Sequence, residues 1–387
     1  MIYLGEILFY LAGFLILNSF FLYPVVIYFK SRKHSGPKTE SGFEPKVSIL
    51  IAAYNEEKVI EERIKNISEL NYDLNKIEVF IGSDLSTDRT NEILIEQGKK
   101  YNWLNIYLSE ERKGKAGILN ELFRKVNNEI LVFTDANTKF HRNALRNLIE
   151  DFSDKMIGGV CGKLVLVDNE SSKSEGVEEV EYWKYETFIK KLEGRCGILL
   201  AANGGIFAIR KELYHPVPVV KAVTDDLFIS LSVISGGFKF SYRNDALAYE
   251  DTGKDLSAEY GRKVRFGATN FQTLIYFKNL LWDKNKFLSY AFWSHKVTRW
   301  FLPLLLFILF IISYMIMNQN LFAQKVFYLQ FILYLLALCG YLLSLIKVRI
   351  PVFSLPYFFV VSNLAIAEGF IKFLKKQHSV IWTSTER

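Results

Sequence analysis

A chain of 387 residues with 50% hydrophobic content and only 8 prolines can bury a large core, but its apolar residues gather at the two ends. A net charge of +7, without any repeat of basic and aromatic residues, argues against nucleic acid and suits anionic lipid headgroups and a phosphate-bearing ligand. Cys161, Cys196 and Cys339 are an odd, scattered set, which suits reduced thiols in a cytosolic or membrane setting and offers no metal-binding spacing. In chain order, the first element is the run from Ile2 to Phe29, broken only by Glu6. It exceeds the roughly 20 residues that span a bilayer and lacks the cleavage site of a signal peptide, so residues 1–30 read as a retained anchor. Lys30, Arg32, Lys33 and His34 follow and place the next segment on the cytoplasmic side, which predicts a multi-pass plasma-membrane protein with a cytosolic domain.

Residues 31–45 are a polar linker with Gly and Pro, and a soluble domain over 46–258 begins after it. Val47 to Ala52 is a strand, ends in Tyr54-Asn55-Glu56-Glu57, and leads into a helix carrying Val59, Ile60, Ile64 and Ile67. Ile77 to Gly82 is a second strand, with Asp84 in its loop and a helix from Thr90 to Gln97. A third unit runs from Ile106 to Leu108 through the loop 112–117 into a helix from Ile118 to Val126. Glu129 to Phe140, EILVFTDANTKF, is then a buried strand whose carboxyl end presents Asp135.

Strands alternating with helices predict a doubly wound, mainly parallel α/β sheet. In such a sheet the ligand lies at the carboxyl ends of the strands, so Asn55, Asp84, Lys115 and Asp135 should converge on one crevice. A Lys among helix-start amides suits a diphosphate, and Asp84 suits the imide edge or hydroxyls of a nucleoside. No G-x-G-x-x-G and no P-loop motif is present. Asp135 and Asn137, flanking Ala136, are hard oxygen donors suited to Mg²⁺ or Mn²⁺.

Farther on, Gly158 to Val167 is a strand, and 175–193 is a charged helical stretch expected along the surface. Gly204 and Gly205 interrupt the strand-like run from Ile198 to Arg210, which marks either a bulge or the approach of another molecule to the backbone. Thr224, Asp225 and Asp226 precede a helix from Leu227 to Ile234. One acid suffices for a cap, whereas transfer to a hydroxyl group needs a carboxylate that takes its proton.

The ordered set AAYNEE, SDLSTD, KGKAGILN, FTDANT, AANGGIFAIR and TDDLFISL, within about 46–277, resembles the membrane-bound inverting family 2 glycosyltransferases of the cellulose synthase and hyaluronan synthase superfamily. The resemblance implies a Rossmann-like GT-A fold and a UDP-sugar donor. It implies that Tyr54 and Glu56 line the base pocket, that Asp84 meets the uracil, and that Lys115 sits beside the nucleotide. Asp135 matches the first acid of the family's D-x-D, while Asn137 stands where the second acid, a metal ligand, is usual. Asp226 matches the catalytic base that ends the T-E-D motif, with Asp225 and the Gly204–Gly205 pair on the acceptor side. Arg262-x-x-Arg265-Phe266 aligns with Q-x-x-R-W, so that Arg265 meets the diphosphate while Phe266 replaces the Trp of the acceptor platform and Arg262 replaces Gln.

Residues 259–298 read as amphipathic interfacial helices and 299–376 as a transmembrane bundle, with spans at Phe301 to Met317 and Phe327 to Ile346. Val352 to Phe373 is long enough for a third, but carries Pro356, Asn363 and Glu368 and either crosses or lies at the interface. Residues 377–387 form a tail. Two acceptors fit this pattern, a growing β-linked polysaccharide and a single lipid-linked acceptor, with membrane lipids as surroundings. A nucleotide-sensing membrane protein without turnover is the reading from another class.

Overall fold

The computed structural model describes residues 2–40, 42–167, 177–251, 256–346 and 348–377. Lys347 and most of the expected tail, 378–387, lie outside them. The chain divides into two compact units, one from residues 27–254 and one from residues 1–26 and 255–378.

In the first unit, seven buried residues make β1 (Val47–Ala53), and its apolar run needs cover on both faces. It leads to α3 (Ile60–Ser68), β2 (Ile77–Ser83), α4 (Thr90–Lys100), β3 (Leu104–Leu108), α5 (Gly114–Phe123) and β4 (Ile130–Phe133). These four strands are parallel in the order β3-β2-β1-β4, as the alternation of strand and helix predicts. The remaining elements of the unit are β5 (Lys139–Phe140), α6 (Ala144–Glu150), β6 (Ile157–Val167), α7 (Val177–Arg195), β7 (Phe207–Arg210), α8 (Asp225–Ser235) and β8 (Lys239–Asp251).

The second half of the sheet is mixed. β7 enters between β4 and β6 antiparallel to both, β6 and β8 pair in parallel, and β5 adds antiparallel to β8. The result is one eight-stranded sheet among the described residues. β8 has no counterpart in the sequence reading. Its polar stretch bulges out where the register jumps from Gly162↔Arg243 to Lys163↔Leu247, so no regular alternation announces a strand.

α7 departs from the surface position expected for it. Glu186, Ile189, Lys190 and Glu193 lie on one buried face, and an added Cβ at Gly194 would meet Tyr242 Cβ at 2.3 Å and its backbone N at 2.6 Å. The helix therefore lies directly on β8, and only a glycine fits at the contact.

The second unit opens with α1 (Ile2–Leu17), which passes through a π-helical turn at Asn18–Leu22 into α2 (Tyr23–Ser31), whose residues from Ile27 onward are counted with the first unit. In that turn, Asn18 donates to Ser294 Oγ and Ser19 to the Ser294 carbonyl. α9 (Leu256–Tyr276), α10 (Lys286–Ala291), α11 (Thr298–Trp300), α12 (Leu302–Ile316), α13 (Leu321–Leu345) and α14 (Pro351–Leu374) complete it. α9 and α14 touch backbone to backbone, since a Cβ on Gly369 would lie 2.4 Å from the Val264 carbonyl. Among the described residues, Tyr3–Ser31, α13 and α14 are long and apolar enough to cross a membrane. The span expected at Phe301 to Met317 is α12, whose 15 residues reach about 22 Å, short of a bilayer core of about 30 Å. It makes a fourth crossing only together with Lys286–Trp300, from which it is bent by 70°. Pro303, at the start of α12, lacks the N–H that would continue a straight helix.

Candidate active site

The crevice is built at the carboxyl ends of β1, β2 and β4. The β1 loop turns at Asn55 in the left-handed region (φ 55) and is stitched to the β2 loop. The Asn55 N–H donates to Ser86 Oγ at 3.1 Å, and Asn55 Oδ1 accepts from the Thr87 N–H at 2.8 Å. The Glu56 N–H donates to Thr90 Oγ1 at 2.8 Å. The ring of Tyr54 carries the Arg112 guanidinium 3.4 Å from its centroid, which forms a flat cationic and aromatic surface beside this loop.

Asp84 is 1% exposed, and its carboxylate accepts from Arg112 Nε at 3.1 Å and from the backbone N–H groups of Lys113 and Gly114 at 2.6 and 3.0 Å. It anchors the first turn of α5, where free amides and the helix dipole favour an anion. The helix thus starts at Gly114 (φ 70), earlier than the sequence pattern suggested, and Lys115 lies in its first turn.

A cation at a helix start opposes the dipole, and two acids offset it here. Lys115 Nζ lies 2.8 Å from Asp135 Oδ1 and 3.1 Å from Asp225 Oδ2. Burial alone would pull the ammonium down, but Asp135 and Asp225, with Asp226 behind them, hold it well above its ordinary range. Thr224 occupies the N-cap position of α8, and Asp225 and Asp226 fill its first turn.

Asp226 Oδ1 accepts from the Leu227 N–H at 2.6 Å. Its carboxyl is pushed up to about 6, first by burial and then by the neighbouring Asp225, against Lys115 and Lys190, which pull it down. The other oxygen faces Gly204. A Cβ built on that glycine would lie 3.5 Å from Asp226 Oδ2, 3.8 Å from Asp135 Oδ2 and 3.9 Å from Lys115 Nζ. One acid of raised pKa, one further acid and one cation therefore converge on the space above Gly204. Gly205 is different: a Cβ there meets Thr138 Oγ1 at 2.9 Å and Leu164 Cδ1 at 3.2 Å, so this glycine permits packing between strands.

Two buried cations that no sequence motif announced support this centre. Lys190, on α7, donates to the Asn203 side chain and to the Ala202 carbonyl just before Gly204. Arg63, 1% exposed on α3, donates to Asn66 Oδ1 at 2.6 Å and to Thr134 Oγ1 at 3.1 Å, and lies over the Phe140 ring. Burial pulls its guanidinium down to about 9, against Asp135, which raises it. The signal for Arg63 was legible, because it shares a helical face with Ile60, Ile64 and Ile67.

Asn137 donates from Nδ2 to Glu250 Oε1 at 3.2 Å. Asp135, Asn137 and Glu250 are an all-oxygen donor set, the kind that Mg²⁺ and Mn²⁺ prefer. Among the described residues, no three His, Cys, Asp or Glu side chains form a metal-binding group. Arg262, Arg265 and Phe266 belong to α9 of the other unit, where the Arg265 guanidinium lies 5.6 Å from the Phe266 ring centroid.

Residues 48–216 match the model of glycosyl transferase family 2. The chain carries a family 2 glycosyltransferase domain. Over 239 residues it is 24% identical to a probable glycosyltransferase of Bacillus subtilis, covering 60% of this chain and 57% of that protein. Over 232 residues it is 25% identical to the poly-beta-1,6-N-acetyl-D-glucosamine synthase of Staphylococcus aureus, covering 59% and 55%. The matches thus span little more than half the length of these curated relatives. A mannosyltransferase from Pyrobaculum calidifontis, solved in complex with GDP-Man and Mn²⁺, is similar in fold to this chain (TM-score 0.69, 20% identity, 96% of this chain and 100% of that one). The GT-A architecture read from the motifs is the observed one, joined to apolar helices of membrane-spanning length.

Proposed function

We propose that this family 2 glycosyltransferase transfers a sugar, with inversion, from a nucleoside diphosphate donor, UDP-linked in our reading, to a β-linked polysaccharide growing at the plasma membrane. The observation that carries the proposal is the convergence of Asp226, Asp135 and Lys115 above Gly204. Tyr54, Glu56 and the loop fixed by Asp84 receive the nucleotide. In this reading Lys115 stabilises the diphosphate.

In this mechanism Asp226 takes the proton of the acceptor hydroxyl. The oxygen attacks the anomeric carbon from the face opposite the diphosphate, and the bond from that carbon to the diphosphate oxygen breaks. A base of pKa about 6 is mostly ionised at neutral pH yet basic enough to accept a proton, which a carboxyl of ordinary pKa does less well. Negative charge builds on the departing diphosphate, and the fixed Lys115 meets it without reorganisation. A divalent ion held by Asp135 and Asn137 would supply further neutralisation of that charge. Gly204 and Asp225 border the acceptor side.

A second reading, transfer of one sugar to a lipid acceptor, is favoured by an apolar cavity of about 430 Å³ among α9, α11, α12, α13 and α14, whose lining includes Phe271, Trp300 and Phe359. Arg262 and Phe266, standing where the polymerising relatives resembled here carry Gln and Trp, support it too. The test uses purified protein in liposomes with a panel of UDP- and GDP-sugars, following nucleotide release and product size together. Long products that vanish in Asp226→Asn support the first reading, and one-sugar products that require added lipid support the second. Nucleotide binding without release for any donor refutes both and favours the sensor.

A further inference from the structure

The turn Asp135-Ala136-Asn137 presents one acid and one amide, yet the sheet brings a second acid to it from residue 250. β5 pairs antiparallel with the end of β8, with Lys139 opposite Tyr249 and Phe140 opposite Ala248. Continuing that register by one residue sets Glu250 opposite Thr138, next to Asn137. The observed contact agrees: Asn137 Nδ2 and Glu250 Oε1 are 3.2 Å apart, and both side chains are half-buried. Two oxygens on adjacent corners of an octahedral ion, each at about 2.1 Å from it, are about 3.0 Å from one another. A half-turn of the Asn137 amide exchanges Nδ2 for Oδ1 and leaves two oxygens at that spacing.

Charge supplies a second argument. Asp135 is already in contact with Lys115 at 2.8 Å, and Asn137 is neutral, so a cation at the turn meets little net negative charge from these residues alone. We propose that Glu250 is a ligand of the divalent ion used with the donor, replacing across the sheet the carboxylate that Asn137 lacks. This assignment rests on the transferase reading above. A purely structural role for the Asn137 contact makes a different prediction, because a glutamine at 250 keeps a side-chain oxygen that accepts the Asn137 hydrogen bond.

The test is Mn²⁺ binding to the full chain in detergent, followed by electron paramagnetic resonance, with Mn²⁺ alone and with Mn²⁺ plus UDP or GDP. Glu250→Gln is expected to weaken Mn²⁺ binding at least about tenfold, the scale of losing one group from a metal site. The double variant Asn137→Asp/Glu250→Gln, which restores the charge of the donor set, is expected to recover most of the affinity. Thermal unfolding of each variant checks that it folds. Mn²⁺ affinity within about twofold of the parent in Glu250→Gln overturns the assignment, as does a parent chain that takes up no Mn²⁺ in either condition. Donor turnover, measured on the same samples, separates the two readings. Turnover with Mn²⁺ uptake indifferent to Glu250 sinks only the ligand assignment, and Glu250-dependent uptake without turnover sinks only the transferase.

Discussion

If Asp226 is the base, the rate must follow its ionisation. With its carboxyl pushed up to about 6, a one-proton titration leaves about 97% ionised at pH 7.5 and about 9% at pH 5. Donor turnover, as kcat/KM, is therefore expected to fall about tenfold between those values. A carboxyl at the ordinary 3.8 would still be about 94% ionised at pH 5, and the profile would be flat. The groups facing Asp226 permit a sharper version of the experiment. Asp225 raises its pKa, whereas Lys115 and Lys190 lower it, so Asp225→Asn should move the acid limb to lower pH and Lys190→Met to higher pH. Nucleotide release would be followed from pH 4.5 to 8.5 in a mixed buffer, with tryptophan fluorescence reporting that the protein stays folded. An acid limb near pH 4, or two variants whose limbs move in the same direction, would refute the reasoning.

Replacing Asp226 by Asn abolishes turnover in this scheme but stabilises the fold. Because the folded-state pKa lies above the unfolded one, the favourable contribution of the protonated acid is complete below about pH 4 and is lost as pH rises through 6. The full shift corresponds to about 3 kcal/mol, and for a half-buried group we expect about 1–2 kcal/mol, seen as a higher unfolding temperature at pH 7.5 and none at pH 4. The two adjacent glycines should separate function from packing. Gly204→Val adds methyls to the space above the acids, and should leave the melting temperature nearly unchanged while suppressing turnover. Gly205→Ala forces a Cβ to 2.9 Å from Thr138 Oγ1, and should cost about 1–3 kcal/mol of stability. Lys115→Met removes the cation from between Asp135 and Asp225; kcat/KM for the donor should fall about 10- to 100-fold, the range expected for losing a hydrogen bond to a charged group.

The nucleotide half of this fold was legible because it is local. Each strand–loop–helix unit of the first hundred residues of the domain closes within some 30 residues, and apolar runs that stop at Asn55, Asp84 and Asp135 mark where the strands end. The apolar ends of the chain were legible for the same reason, since length and hydropathy decide whether a helix can cross a bilayer. What could not be read was whatever depends on pairing across long separations. β8 was missed because its bulge erases the alternation of a strand, and α7 looked solvated because its buried Lys190 and Glu193 are charged.

The sequence by itself determined which chemical groups the domain carries and on which side of the sheet they emerge, since strand periodicity and loop position are properties of neighbouring residues. Only the tertiary structure decided which groups meet: Lys115 with both Asp135 and Asp225, Lys190 behind Gly204, and Glu250 beside Asn137 at 113 positions' remove. Charges are balanced in space and not along the chain. The raised pKa of Asp226 and the missing acid at Asn137 therefore become interpretable only after the sheet has closed.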